Sequence, residues 1–455
     1  MQHDNTLWNT IVQRGSHAEL ADYLIEQWGG TTKSVWDGAF YVYDNRSHTW
    51  KQRSNDACLR DIQAFDGLAF GPTRQEGNKP PTRKRIKASD GMCKSVLNLA
   101  RAEISTRTGD DSDGFFNNAP HGVLCDDVFL CVKGAQVDVR PCTSDDRQRV
   151  KLCIPYAQDA HAPMWTKALE DWFGSDDDGM RKRALLGEFV GAALFGLATR
   201  YQKALFLLGG GGNGKSQLLD VVGELFPHAF LSAIRPQKWS DPYSRDQMRG
   251  ARLNLVHEIP PKAIAGGTDF KAIITGDPIT AREIYKSPYT YRPRTAHVFS
   301  ANELPGSTDI TEGFWRRVIV LTMPKRFDGT QQTIPELAKK IIAAEMPGVL
   351  AWAVQGAQRL LTQDAYTIPA SSLEAVQDWK DSCDPFGQWI DERTTPAQHS
   401  HERTKSSTLF QDWKSWSGGE LDPKSNRGFS MALSKRYRKP QKSRGVFVFN
   451  LKLKA

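Results

Sequence analysis

A glycine-rich segment near the middle of the chain has the residue types and the spacing of a phosphate-binding loop. Residues 205–208 form an apolar run of strand length, and residues 209–216 follow it directly in the pattern G-x-x-x-x-G-K-S. Glycines let the backbone turn tightly and direct its N–H groups at a polyphosphate, the lysine supplies a charge for the outer phosphates, and the serine can hold Mg²⁺. We therefore predict that a nucleoside triphosphate, as ATP with Mg²⁺, binds through Gly209, Gly210, Gly211, Gly212, Asn213, Gly214, Lys215, Ser216 and Gln217.

An acidic residue after a second apolar strand could complete this site. Residues 252–256 read as a buried strand, and His257 and Glu258 follow it. In such folds the carboxyl end of a neighbouring strand brings an acid close to the magnesium ion. Glu258 is therefore the candidate to hold Mg²⁺ through water or to polarise the attacking water. Because His257 stands where many NTPases have a second acid, the division of these two roles stays open.

Two further polar positions flank later strands. Asn302 ends the apolar run of residues 294–301 and could hydrogen-bond both the attacking water and a γ-phosphate oxygen, although a plain turn residue would look the same. Arg316 and Arg317 precede the apolar run that begins at Val318. A guanidinium near a transferring phosphate stabilises the transition state, and an arginine at a domain edge could reach a neighbouring subunit's nucleotide. A surface salt bridge is the alternative for this pair.

A turn between the second and third strands predicts a hairpin. Gly276-Asp277-Pro278 is a turn signal, and the residues after it alternate up to Lys286. The tip would carry Tyr285 and Lys286, an aromatic ring beside a cation. This pairing suits single-stranded DNA, because the ring stacks on a base and the ammonium neutralises a phosphate.

The elements that must position these residues indicate an α/β protein with three parts. Apolar strands alternate with helices from residue 204 to about 326, which predicts a three-layer arrangement around a parallel sheet. Short strands mixed with helices indicate an α+β domain over residues 1–165, and flanking helices extend the central domain to residues 166–365. Residues 366–455 contain aromatic-rich helices, a basic stretch and a final strand, which fits a winged-helix-like domain.

The net charge of +8 is concentrated at the end of the chain. Residues 401–455 contain 13 Lys or Arg and 4 Asp or Glu, so the rest of the chain is nearly neutral. A localised basic excess favours contact with nucleic-acid phosphates, and a solvated tail is the alternative. The candidate DNA contacts in this stretch are Arg436, Arg438 and Lys439.

The bulk composition excludes several classes of protein. A hydrophobic content of 39% with 25% charged residues is typical of a soluble globular chain. Because the sequence has neither a long apolar run nor a leader segment, we expect no membrane contact and a cytoplasmic location, in a bacterium or in a host cell. The seven cysteines form no C-x-x-C pair, which favours free thiols over zinc binding.

The order of these motifs resembles the superfamily 3 helicases, and more narrowly the primase–helicase family of phages, plasmids and poxviruses. The phosphate loop, the strand-end acid, G-D-P-I-T followed by Y-K, the strand-end N-E-L-P and G-F-W-R-R all lie within residues 209–317. The resemblance is strong from residue 165 to about 327, and weaker in the region before it, which is similar to the family's pre-helicase domain.

The resemblance implies an AAA+-like core, a hexameric ring and translocation from 3′ to 5′ on DNA. It also implies that Asn302 senses the γ-phosphate, that Arg317, with Arg316 beside it, acts on a neighbour's nucleotide, and that the Tyr285–Lys286 hairpin grips DNA. Many relatives carry a primase, but residues 1–165 contain no convincing set of primase acids, so a primase would have to be a separate partner.

The leading hypothesis is an ATP-dependent helicase that acts on single-stranded and forked DNA in the replication of a mobile element. A replication initiator or loader, in which ATP switches assembly and unwinding is slight, is the main alternative. A phosphate-loop kinase for small molecules explains neither the hairpin nor the basic C-terminal segment.

Overall fold

The computed structural model describes residues 5–29, 33–34, 39–74, 82–107, 115–116, 119–126, 128–261, 267–307, 309, 311–327, 334–419, 421, 423–436, 441–443 and 446–454. Two of the predicted DNA contacts, Arg438 and Lys439, lie outside the described residues.

The N-terminal region combines helices with short antiparallel strands. Its elements are α1 (Asn5–Ile11), α2 (His17–Gln27), β1 (Lys33–Ser34), β2 (Phe40–Asp44), β3 (Thr49–Arg53), α3 (Asn55–Gln63), β4 (Ala69–Arg74), β5 (Thr82–Arg85) and α4 (Asp90–Arg107). Ser16 begins α2 in a reciprocal capping box with Glu19, which satisfies backbone donors that the first helical turn leaves unpaired. The helices bury an apolar cluster that includes Trp8 and Tyr23, whose rings meet edge to face with centroids 4.9 Å apart.

A small mixed sheet and three helices lead into the central domain. These elements are β6 (Gly122–Cys125), β7 (Val128–Lys133), β8 (Gln136–Pro141), β9 (Lys151–Leu152), α5 (Pro163–Phe173), α6 (Asp177–Phe195) and α7 (Ala198–Tyr201). The sheet has the order β8-β7-β6-β9. Asp176 caps α6 by accepting from the Gly179 N–H, as expected for an acid at the positive end of a helix dipole.

The central domain is built on a five-stranded sheet. Its elements are β10 (Ala204–Leu208), α8 (Lys215–Glu224), β11 (Leu231–Ser232), α9 (Pro242–Asp246), β12 (Leu253–Val256), α10 (Gly267–Thr275), β13 (Ile279–Ala281), β14 (Tyr289–Tyr291), β15 (Ala296–Ala301), α11 (Glu312–Trp315) and β16 (Val318–Thr322). The sheet has the order β11-β12-β15-β10-β16, and every neighbouring pair in it is parallel. The predicted α/β class with a parallel-sheet core is confirmed.

The parallel arrangement gives the sheet two chemically different edges. The phosphate loop, Glu258 and Asn302 follow the C-terminal ends of β10, β12 and β15, so all three lie at one edge. Arg252, Arg294 and Arg317 precede β12, β15 and β16, and therefore lie at the other edge.

Helices that precede and follow the five-stranded sheet in the sequence pack against each other. The chain after β16 forms α12 (Leu337–Ala344), α13 (Met346–Gln363) and α14 (Ala370–Cys383). Glycines let α6 and α13 approach closely: a Cβ at Gly191 would lie 2.5 Å from the Ala353 carbonyl oxygen, and one at Gly356 would lie 2.1 Å from the Gly187 carbonyl oxygen. Substitution at either position would force these two buried helices apart.

The C-terminal region has its own apolar cluster, centred on Trp389 and Trp413. Its elements are α15 (Pro385–Arg393), β17 (Thr394–Pro396), β18 (Thr404–Lys405), α16 (Ser406–Trp416), α17 (Asn426–Arg436), β19 (Gln441–Ser443), β20 (Val446–Phe449) and β21 (Leu451–Leu453). Three helices beside the antiparallel sheet β18-β20-β19 form the predicted winged-helix-like arrangement. The predicted domain boundaries, after residues 165 and 365, stay predictions.

Candidate nucleotide site

The backbone of the phosphate loop requires glycine at particular positions. Gly212 and Gly214 have φ angles of +72° and +87°, in the left-handed region that side chains disfavour. A Cβ at Gly214 would also lie 2.3 Å from Trp172 Nε1, and one at Gly209 would lie 1.9 Å from Asn213 Nδ2. Glycine is therefore required at these positions of the loop, and α8 begins directly after Gly214, at Lys215.

Residues beyond β16 hold the loop from outside. Asn213 is buried and its Nδ2 donates to the Met323 carbonyl oxygen at 3.0 Å, while the Phe327 N–H donates to the Gly212 carbonyl oxygen at 2.8 Å. Gln217, predicted to bind the nucleotide, accepts a hydrogen bond from the Ala338 N–H at 2.8 Å through its Oε1. The Gln217 side-chain oxygen therefore anchors the start of α12.

Lys215 connects the loop to the end of a neighbouring strand. Its Nζ donates to the carbonyl oxygen of Gly209, to that of Gly210 at 3.0 Å, to Asn213 Oδ1 at 3.0 Å and to Asn302 Oδ1 at 3.1 Å. Burial lowers the pKa of Lys215, and the nearby carboxylate of Glu258 opposes this shift. The structure thus brings three separately predicted residues to one point.

A polar cavity of about 300 Å³ opens in front of this lysine. Its walls include the loop with Ser216 and, from neighbouring strands, His257, Glu258, Ser300 and Asn302. The side chains of Ser216 and Glu258 belong to solvent-exposed residues, so a hydroxyl and a carboxylate face one space beside an ammonium group. Sequence reasoning missed Ser300, because a serine inside an apolar strand gives no signal of its position.

A second cavity, of about 720 Å³ and mostly apolar, adjoins the loop. It shares Gly212, Gly214 and Gln217 with the polar cavity, and its other walls come from the regions of α5 and α12. The larger apolar side chains that line it are Met164, Trp172, Phe327, Ile334 and Leu337. Nothing in the sequence around Trp172 indicates that its ring borders the phosphate loop.

The paired arginines Arg316 and Arg317 lie at the edge of the sheet opposite to the phosphate loop of the same chain. Arg316 is exposed, whereas Arg317 is only 7% exposed and its Nη1 donates to the Gly313 carbonyl oxygen. Burial, and next the charge of Arg316, lower the pKa of Arg317, and the carboxylate of Asp277 opposes them. Lys203, just before β10, donates to the Arg316 carbonyl oxygen, so three cations cluster here.

The predicted hairpin is present and presents its tip to solvent. Strands β13 and β14 pair antiparallel, with Ile279 opposite Tyr291. Tyr285 is 99% exposed at the tip and has a φ of +64°, while Ile284 beside it is 68% exposed. Lys286 Nζ lies 2.6 Å from a carboxylate oxygen of Glu283, which steadies the turn below the tip.

Arg436, the described member of the predicted C-terminal DNA contacts, pairs with Asp384 and lies over the Phe386 ring, 5.6 Å from its centroid. It therefore joins the end of α17 to the start of α15. Arg427, Met431 and Lys435 are exposed along α17 at intervals of four residues, which places them on one face of that helix.

The described residues contain no grouping of three or more His, Cys, Asp or Glu side chains suited to holding a metal ion. All seven cysteines are free thiols. No helix within the described ranges is both long enough and apolar enough to cross a membrane.

Comparisons with known proteins find similarity in the sequence of the central domain and in the fold. A family model described as a family of unknown function (DUF5906) matches residues 207–317, which include the loop, Glu258, the hairpin, Asn302 and the paired arginines. A protein of Acanthamoeba polyphaga mimivirus named Putative helicase is 24% identical over 245 residues, which are 48% of this chain and 25% of that protein. The chain thus spans about a quarter of the length of that relative.

Among solved structures, the apo A form of the NrS-1 C-terminal region is similar to the whole chain. It aligns with a TM-score of 0.53 at 10% identity and covers 96% of this chain and 100% of its own. At this low identity the similarity establishes a shared fold.

Proposed function

We propose that this chain is an ATP-dependent DNA helicase of the superfamily 3 kind, acting in the replication of a phage, plasmid or other mobile element. One observation carries the proposal: the Lys215 ammonium contacts Asn302 in a cavity also lined by Ser216 and Glu258. An ammonium, a hydroxyl, a carboxylate and an amide at adjoining strand ends are the groups that hydrolysis of a nucleoside triphosphate requires.

The two adjoining cavities match the two halves of a nucleotide. Phosphates would lie in the polar cavity, against the N-terminus of α8, where backbone N–H groups and the helix dipole favour anions. The base would lie in the apolar cavity beside Trp172 and Phe327. Ser216 and Glu258 carry the hard oxygen ligands that Mg²⁺ prefers, and the ion, when bound, neutralises charge on the outer phosphates.

The side chains then divide the work of hydrolysis. Glu258 orients a water molecule whose oxygen forms a bond to the γ-phosphorus, while the bond from that phosphorus to the β–γ bridging oxygen breaks. Lys215 and Asn302 stabilise the charge on the γ-phosphoryl oxygens. ADP and inorganic phosphate leave, and the proton of the attacking water passes to the phosphate or to the solvent.

The position of the arginines supports action between subunits. Arg316 lies before β16, at the edge of the sheet opposite to its own loop, and the strands between these edges are roughly 15–20 Å long. It can therefore serve only the nucleotide of a neighbouring copy. A closed ring, proposed as a hexamer, would supply every nucleotide with one such arginine.

The hairpin and the basic C-terminal domain would bind DNA. Tyr285 is free to stack on a base of a single strand, and Lys286 lies next to it. The exposed face of α17, with Arg427 and Lys435, would contact phosphates of the duplex part of a fork.

The decisive experiment measures ATP hydrolysis with and without single-stranded DNA, together with the mass of the particle in ATP and the opening of a forked duplex. We expect a multi-subunit particle whose ATP turnover rises severalfold with single-stranded DNA and which opens the fork. If ATP turnover did not respond to DNA and the fork stayed closed, the result would favour the ATP-switched initiator or loader over the helicase. An absence of ATP binding would refute both functions.

A further inference from the structure

A cavity of about 270 Å³ lies at the sheet edge opposite to the phosphate loop. Its walls come from residues 116, 119, 147–150 and 229–230 and from residues 249–252 and 291–294, which precede β12 and β15. It therefore joins the N-terminal region to the central domain. Six arginines line it: Arg147, Arg149, Arg249, Arg252, Arg294 and, just after β14, Arg292. No Asp or Glu is among its described lining residues.

Arg252 is the most deeply placed of these arginines. It is 9% exposed, and its Nη1 has no hydrogen-bond partner within the described part of the chain. The side chain passes over Gly196, where a Cβ would lie 1.6 Å from Nη1, so glycine is required beneath it. Burial, followed by the charges of Arg294 and Arg149, lowers the pKa of Arg252 to about 10. The charged groups that act on this guanidinium are thus positively charged, as it is itself.

The other arginines are oriented by contacts at the rim of the cavity. Arg147 donates to the Phe115 carbonyl oxygen at 2.9 Å, and Arg294 donates to that of Ala119 at 3.1 Å. Arg249 pairs with Glu283, with 3.5 Å between its Nη1 and a carboxylate oxygen. For Arg252, whose Nη1 has no partner within the described residues and on which only like charges act, burial of the charge is unfavourable, so an anion in the cavity would stabilise it.

We propose that this cavity binds phosphate groups, and that a nucleic-acid strand led along the hairpin supplies them. Guanidinium groups match phosphate because they donate two parallel hydrogen bonds and remain charged. The hairpin strand β14 ends at Tyr291 and continues directly into Arg292 and Arg294, so a strand held at the tip has a cationic path to the cavity. The site is separate from the phosphate loop, so this proposal does not depend on whether the chain hydrolyses ATP.

The test compares two phosphate probes on full-length variants. All variants carry Lys215→Ala, which weakens phosphate binding at the loop. The probes are inorganic tripolyphosphate and a short oligothymidylate, with binding measured by calorimetry at several salt concentrations. The test variant adds Arg149→Gln and Arg292→Gln, because both residues are exposed and their replacement leaves the core intact. The matched control adds Arg60→Gln, which removes an exposed charge on α3, away from the cavity.

We expect the test variant to bind about tenfold more weakly than the control. For the oligonucleotide, the slope of log K against log salt should fall by about 1.4, or roughly 0.7 for each lost phosphate contact. Weaker binding of both probes by the test variant, or of the oligonucleotide alone, supports the proposed nucleic-acid source. A loss for tripolyphosphate alone supports phosphate binding and assigns it to a free polyphosphate. Equal affinities of test and control variants for both probes would overturn the proposal. Hydrolysis by the chain with Lys215 intact, measured separately, tests the proposed function alone.

Discussion

At the scale of single residues, Lys215 is where the loop, the strand-end asparagine and the acid meet. Lys215→Ala removes the charge that faces the outer phosphates, so we expect ATP turnover to fall by about 100-fold or more. Lys133→Ala, on an exposed position of β7, is the control and should keep normal turnover. Hydrolysis by Lys215→Ala at the control rate would place the nucleotide elsewhere.

His297 is a second residue with a measurable consequence. It is buried in β15 against Trp239, with ring centroids 4.6 Å apart, and neither ring nitrogen has a hydrogen-bond partner within the described residues. Burial lowers its pKa to about 3. The folded chain therefore keeps this ring neutral while the unfolded chain protonates it near pH 6.5, so the stabilisation is complete above that pH and is lost as the pH falls toward 3.

We expect His297 to account for a loss of about 1.4 kcal/mol between pH 7.5 and pH 5.5. The measurement is the thermal midpoint at both values, compared with that of His297→Leu, which has no group to protonate. His228→Gln removes an exposed histidine and should keep the full pH dependence. An unchanged pH dependence in His297→Leu would contradict this assignment.

At the scale of elements, the hairpin of β13 and β14 carries the clearest prediction. Tyr285→Ala removes the stacking surface, worth about 1–3 kcal/mol per base, so single-stranded DNA should bind about 5- to 150-fold more weakly. ATP turnover without DNA should stay unchanged, because the hairpin tip and the phosphate loop belong to separate elements that lie far apart in the sequence. Tyr243→Ala removes another exposed tyrosine and serves as the control. Full DNA affinity in Tyr285→Ala would remove the hairpin from the DNA path.

The elements that the sequence predicted are those with strong local patterns. The run before Gly209 and the helical spacing after Lys215 define β10 and α8, and Gly276-Asp277-Pro278 marks the turn into the hairpin. The sequence could not show that Gln217 uses its side-chain oxygen on α12, because that partner lies more than a hundred residues away. The different exposure of Arg316 and Arg317 likewise depends on packing around Gly313 and Lys203.

At the scale of the whole molecule, the sequence predicted the parallel-sheet core but neither of the two additional cavities. The apolar cavity combines α5, the loop and the chain after β16, and the arginine cavity combines five separate segments. A single arginine such as Arg252 or Arg294 is unremarkable in a sequence with 60 Lys and Arg. Only the topology of the sheet gathers these arginines at one edge.

The same topology leads to a prediction about assembly. Because Arg316 is exposed at the edge opposite to its own loop, Arg316→Ala should keep nucleotide binding but lose most hydrolysis. Mixed with the unaltered chain, it should inhibit turnover more than in proportion to its share, since each altered copy disables a neighbour. Arg181→Ala, at an exposed position of α6, should only dilute the activity. Simple dilution by Arg316→Ala would argue against catalysis between copies, and Arg317→Ala would then be the next variant to mix.

The left-handed backbone conformation at Tyr285 is unfavourable for the stability of the folded chain. A left-handed φ in a residue other than glycine costs about 1–2 kcal/mol, and a ring that is 99% exposed gains almost nothing from packing. Tyr285→Gly should therefore raise the melting temperature of the protein while it weakens the proposed binding of single-stranded DNA. Screening for heat resistance alone would select against this tyrosine, so thermostabilised forms of the protein would lose the proposed stacking contact with DNA.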